Sequence, residues 1–204
     1  KQILAGLLQS SKHIQMYLID LKNGLEFSDF KEAPNVLVYK EASQALKVLE
    51  SVKVEMKKRF EYMEEKNIRK ITPGVDPFDR IIVAIDEASV IYFTKKTDQE
   101  LAIKLKARDI TDDLAKLARA AAINLIFATQ KVAKEVIPTN IQENISARMA
   151  FKANTMHGST ILIDTKEALD LPSTKGRGIW RFGAIKKEIQ GPYISGREIR
   201  KICI

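Results

Sequence analysis

The stretch Arg80-Ile81-Ile82-Val83-Ala84-Ile85-Asp86-Glu87 decides how the rest of the chain is read. Five apolar residues in a row, with no polar residue to mark a wet face, have the form of a strand buried on both sides, as at the centre of a parallel sheet. Asp86 and Glu87 then fall where that strand leaves the core.

Upstream, Ile14 to Asp20 (IQMYLID) is a similar apolar run ending in an acid, and Val36 to Tyr39 (VLVY), after Pro34 and Asn35, is a second short strand. From Glu41 to about Lys66, Ala42, Ala45, Leu46, Leu49, Val52, Met56, Phe60 and Met63 recur at three and four residues, predicting a long amphipathic helix with Met56 and Met63 on its core face. Ile71 to Asp79 (ITPGVDPFD) has two prolines and a glycine and reads as a loop. The opening KQILAGLLQSS has helical spacing at Ile3, Leu4, Leu7 and Leu8 but no N-cap before it, which predicts a helix entered part-way.

Downstream, Asp98 to Ala122 reads as a helix and Ile123 to Thr129 (INLIFAT) as a fourth strand. A short helix is expected after Pro138 and a strand over Ala147 to Ala153 (ARMAFKA). The glycine-bearing tail with Trp180, Phe182 and Ile185 reads as β-rich, with a hairpin near 177 to 194. Strands alternating with helices imply βαβ crossovers and an α/β fold with a mostly parallel central sheet flanked by helices, in a single domain over residues 1–204.

Composition sets outer limits. With 34 Lys and Arg against 26 Asp and Glu, the net charge of +8 and pI near 9.4 suit a polyanionic partner, although the basic residues are spread as on an ordinary wet surface. The single cysteine, Cys203, excludes an internal disulfide framework and suits a reducing, cytoplasmic setting. No apolar run has the length of a membrane span, so no membrane contact is expected from these residues.

The apolar run closed by Asp86-Glu87 has the form of a Walker B strand. Asp86, delivered to the C-terminal edge of a sheet, can hold Mg²⁺, while Glu87 can polarise the water that attacks a γ-phosphate. A helix-capping carboxylate would satisfy the same string. Asn124 to Gln130 (NLIFATQ) ends in polar residues one connection later, so Thr129 and Gln130 should lie beside the acids. A glutamine there can bond both phosphate and water, or be an ordinary strand-ending residue.

The ordered set MYLIDLKNG (16–24), MKKRFEYM (56–63), IIVAIDEAS (81–89), LARAAAINLIFATQ (117–130), ISARMAF (145–151) and STILID (159–164) resembles the FtsK/SpoIIIE family of double-stranded DNA translocases over nearly the whole chain. The resemblance implies a RecA-like P-loop ATPase core with a C-terminal β-hairpin, ATP and Mg²⁺ as cofactors, double-stranded DNA as partner and a hexameric ring. That family has a GxxGxGKS phosphate-binding loop just before the helix that opens this chain. These 204 residues contain no such loop, which implies truncation upstream of Lys1, loss of hydrolysis by the fragment alone and a fragment that need not assemble.

Residue by residue, the resemblance makes Asp86 and Glu87 the Walker B acids, with Asp86 the magnesium ligand, and Gln130 the sensor that shares nucleotide binding with it. Arg119 matches an arginine finger pointed into a neighbouring subunit's site, or else is a helix-end arginine at a surface. Lys131 stands where the family has a pore-facing cation for DNA. Ser159 replaces the family's Arg, leaving Lys152 as the second candidate DNA contact. FtsK-like motors of conjugative coupling and type VII secretion, the latter moving protein, are the alternative, as is a ring scaffold without hydrolysis. His13 and His157 lack ligand-spaced partners, Trp180 reads as a packing residue, and Asp20 and Lys22 are expected to support structure or the site.

Overall fold

The computed structural model describes residues 1–22, 25–92, 99–132 and 138–204. Four parallel strands form the main sheet in the order β2-β1-β3-β4: β1 is Ile14–Asp20, β2 Val36–Tyr39, β3 Arg80–Asp86 and β4 Ile123–Phe127. The period of two along β3 divides its side chains between two cores. Ile81, Val83 and Ile85 face one side of the sheet, while Ile82 and Ala84 face the other. Its burial on both faces is what the unbroken apolar run predicts.

On the first face lie α2 (Ala42–Glu65) and α4 (Leu101–Leu117), with the short α3 (Ser89–Tyr92) and α5 (Thr139–Asn144) beside them. Leu49, Val52 and Met56 of α2 pack there with Ile110 and Leu114 of α4, one helical turn apart as the periodicity requires. The second face is covered by α1 (Gln2–Ser10) and α8 (Gly196–Ile202), which contribute Leu4, Ala5 and Ile199 to a core with Met16, Leu18 and Ile82. Cys203 is buried in that core.

Residues 147–190 leave the parallel sheet. β5 (Ala147–Phe151), β6 (Arg177–Phe182) and β7 (Ile185–Gln190) form a separate antiparallel sheet, with α6 (Met156–Ile163) and α7 (Glu167–Asp170) packed on it through Ala150, Ile163, Ala168 and Ile179. The hairpin expected near 177–194 is β6–β7, and Trp180 faces Met149 and Lys187 across the ladder, half-buried, as a packing residue.

Several boundaries differ from the sequence expectation. The helix expected to run to Ala122 stops at Leu117, because the chain must reverse to enter β4: Ile123 N–H bonds to Ala118 O, and Ala122 takes a left-handed φ of 57°. Its expected start at Asp98 lies outside the described residues, as do Asn23 and Gly24 of the family string. The β-rich tail ends in a helix, α8, opened by a capping box in which Ser195 Oγ accepts from Glu198 N–H and Glu198 reaches back to Ser195 N–H. The S-x-x-E string at 195–198 was the available signal.

Candidate nucleotide-edge site

Parallel pairing carries the ends of β1, β3 and β4 to one edge. In the β1–β3 register Asp20 stands level with Asp86, so the two acid-ended strings of the sequence converge. Asp20 is 1% exposed, and its carboxylate accepts from the N–H groups of Lys22 (3.2 Å) and Glu26 (3.0 Å). Asp86 is half-buried beside it. Burial first, then the charges of Asp20, Glu26 and Glu87, push the Asp86 carboxyl above the usual range. A hard divalent cation would relieve that repulsion, and carboxylate oxygens are the donors it prefers.

Glu87 is placed by a break in the ladder. Ala128 N–H bonds to Ile85 O (2.9 Å), and Ala88 N–H, not that of Glu87, bonds back to Ala128 O (2.7 Å). Regular parallel pairing would use residue 87 for the second bond, so Glu87 is an extra residue, a bulge, with its φ at +57°. Bulges re-aim side chains, and this one turns Glu87 toward the end of β4. Its Oε1 accepts from Ser89 Oγ (2.5 Å) and Thr129 Oγ1 (2.7 Å), and its Oε2 from Gln130 N–H (3.1 Å). Burial, which leaves the residue 6% exposed, would raise its carboxyl; these hydrogen bonds and the charge of Lys22 outweigh that and hold it below the usual range. The acid pair is thus split, one member pushed up and its neighbour held down.

Gln130 and Lys131 are exposed just beyond this cluster, and Thr129 is half-buried. The Cβ of Val132 lies 3.8 Å from where a Cβ on Gly158 would stand, so the segment after β4 abuts the first turn of α6. Lys152, also exposed, lies in the link between β5 and α6.

Arg119 is not part of this cluster. It is exposed on the turn before β4, at the opposite edge of the sheet, on the order of 20 Å from Thr129 at about 3.3 Å per strand residue. The turn carrying it is pinned from three sides: Arg59 Nη1 donates to Ala121 O (2.9 Å), Ile71 N–H to Ala120 O (2.8 Å) and Ile81 N–H to Ala122 O (3.0 Å). Ser159 faces no solvent at all. It is 0% exposed, donates to Thr165 O (2.5 Å) and accepts from Ala168 N–H (3.1 Å), so in this chain the position fastens α6 to α7.

Comparisons with known proteins identify the family. The family model described as FtsK/SpoIIIE family matches residues 2–103, from α1 to the start of α4. The chain belongs to the FtsK/SpoIIIE family. Among curated FtsK/SpoIIIE relatives, DNA translocase FtsK of Helicobacter pylori (strain J99 / ATCC 700824) is 29% identical over 93% of this chain and 23% of its own length. DNA translocase SpoIIIE of Bacillus subtilis (strain 168) is 30% identical over 98% of this chain and 27% of its own length. The chain therefore spans about a quarter of the curated relatives it matches. Among solved structures, the pCW3 conjugation coupling protein TcpA, a monomer form with ATPγS, superposes with a TM-score of 0.89 at 28% identity, covering 98% of this chain and 58% of that one. ATPases 2 and 3 of EssC from Geobacillus thermodenitrificans match at a TM-score of 0.77 and 14% identity, over 98% of this chain and 40% of that one, a likeness of fold.

Sequence reasoning anticipated Asp86, Glu87, Thr129 and Gln130 together. It missed Ser89 as a partner of Glu87, and it left the role of Asp20 open. The second was signalled by IQMYLID ending as RIIVAID does; the first had no signal, since a serine two residues past an acid is commonplace.

Proposed function

We propose that this chain carries the hydrolytic edge of an ATP-driven motor that moves double-stranded DNA, in a protein whose phosphate-binding loop precedes Lys1. The observation that carries the proposal is the pairing of Asp86 with a separately held Glu87, whose carboxylate is fixed by the end of the next strand. Asp86 is the residue to hold Mg²⁺ and Glu87 the base for the attacking water. Gln130, whose backbone already bonds Glu87, is the residue to sense the γ-phosphate. Bound Mg²⁺ and ATP supply the phosphoryl group and the charge neutralisation. The exposure of Arg119 at the far edge of the sheet supports its serving a neighbour's site rather than its own, and with it a ring, hexameric by the family's pattern. Lys131 and Lys152 are the DNA contacts, giving sequence-independent and salt-sensitive binding.

The test is ATP hydrolysis by the full-length protein with and without long linear duplex DNA, beside Glu87→Gln. Stimulation by DNA, lost at least about 100-fold in that variant, is expected. Hydrolysis indifferent to DNA would sink the DNA reading, and no hydrolysis by an assembled protein would sink the motor. The match to a conjugation coupling protein favours, as a second reading, a motor of conjugative transfer. Under that reading a protein-bound DNA end stimulates hydrolysis more than bare duplex does.

A further inference from the structure

We infer that Thr129 is a positioning residue that couples Glu87 to the segment carrying Lys131, so that contact at that segment sets the rate of hydrolysis; this rests on the motor reading above. Three hydrogen bonds meet at one hydroxyl. Thr129 Oγ1 lies 2.7 Å from Glu87 Oε1 and 3.1 Å from Lys131 O, and it accepts from Lys131 N–H at 3.2 Å. A hydroxyl has a single proton to give. It goes to Glu87 while that carboxylate is charged, since a charged acceptor makes the stronger bond. Turned away from Glu87, the same hydroxyl reaches Lys131 O instead. The base and the backbone of Lys131 thus compete for one donor, and displacement of residues 130–132 changes how Glu87 is held.

Ser89 provides the contrast. It also donates to Glu87 Oε1, at 2.5 Å, yet it stands at the start of α3 and makes no bond to the 130–132 segment among the described residues. Ser89 and Thr129 together occupy the two acceptor positions of Oε1, while Oε2 takes Gln130 N–H and has one position left for water. Loss of either hydroxyl loosens the base. Loss of Thr129 also removes the hydroxyl shared with the Lys131 backbone, leaving the Gln130 N–H bond to Oε2 as the remaining tie to that segment.

The experiment measures hydrolysis by the full-length protein with and without linear duplex DNA for wild type, Thr129→Val, Thr129→Ser and Ser89→Ala. The readout is the ratio of the two rates. In Thr129→Val the ratio falls at least about fivefold, the worth of one ordinary hydrogen bond, while Thr129→Ser restores it and Ser89→Ala lowers both rates with the ratio kept. If Thr129→Val does not fold, Thr129→Ala removes the same hydroxyl without adding a methyl group. A ratio unchanged in Thr129→Val or Thr129→Ala, whatever the absolute rates, overturns the coupling and leaves the motor standing. Wild-type hydrolysis without DNA stimulation overturns the coupling together with the DNA reading, and no hydrolysis at all overturns the motor.

Discussion

Replacing Arg59 with Met tests whether the turn that presents Arg119 is held by a buried cation. The Arg59 side chain is 4% exposed; its Nε meets Glu55 Oε1 at 2.9 Å, its Nη1 meets Ala121 O at 2.9 Å, and the guanidinium lies 5.0 Å over the ring of Phe78. Met fills much of the same volume and restores none of these bonds. The stranded Ala121 carbonyl costs about 1–3 kcal/mol, and the lost cation–π contact about 0.5–2 kcal/mol. Glu55, 29% exposed, can turn to water, which keeps its own penalty low. Removing a desolvated charge returns part of the loss, so the net falls near about 3 kcal/mol, the low end for breaking a buried pair. With a urea slope of about 2–3 kcal/mol/M, the unfolding midpoint drops by about 1–1.5 M. The assay is urea unfolding followed by far-UV circular dichroism, with Arg59→Lys beside it. Lysine restores the charge but lacks the planar fork that meets Glu55, Ala121 and Phe78 together, so it recovers less than half the loss. A midpoint for Arg59→Met within about 0.3 M of wild type would refute the reasoning.

Two further outcomes follow from the site. Because the folded state holds the Asp86 proton to a higher pH than the unfolded chain does, stability declines as pH rises from the usual carboxylate pKa of about 3.9 to the raised value. Asp86→Asn removes that penalty: its melting temperature at pH 7 lies above wild type, and the gain fades below about pH 4; a lower melting temperature at pH 7 would contradict the assignment. In Ser159→Ala, the buried Ala168 N–H loses its acceptor at about 1–3 kcal/mol, which thermal melting reads as a fall of about 3–10 °C. An unchanged melting temperature would return Ser159 to the class of surface positions.

The candidate acids were legible because their signal is local. An apolar run long enough to be a buried strand, closed by carboxylates, needs no knowledge of its neighbours, and the same holds for Ile123 to Phe127 running on into Thr129 and Gln130. Ser159 was not legible in this way. A serine reads alike on a surface and in a core, and only the carbonyl of Thr165 and the N–H of Ala168 decide which it is.

The sequence by itself determined the elements and their order: five apolar residues for β3, the three-and-four spacing of α2, and the acids at the ends of β1 and β3. Periodicity reports which faces of an element are dry, and that is settled within a dozen residues. Tertiary structure alone decided that Asp20 stands level with Asp86, that β5 leaves the parallel sheet for β6, and that Glu87 is the odd residue of a bulge against Ala128. Register and bulge depend on which backbone groups from distant parts of the chain are left to pair, and no window of sequence contains both partners.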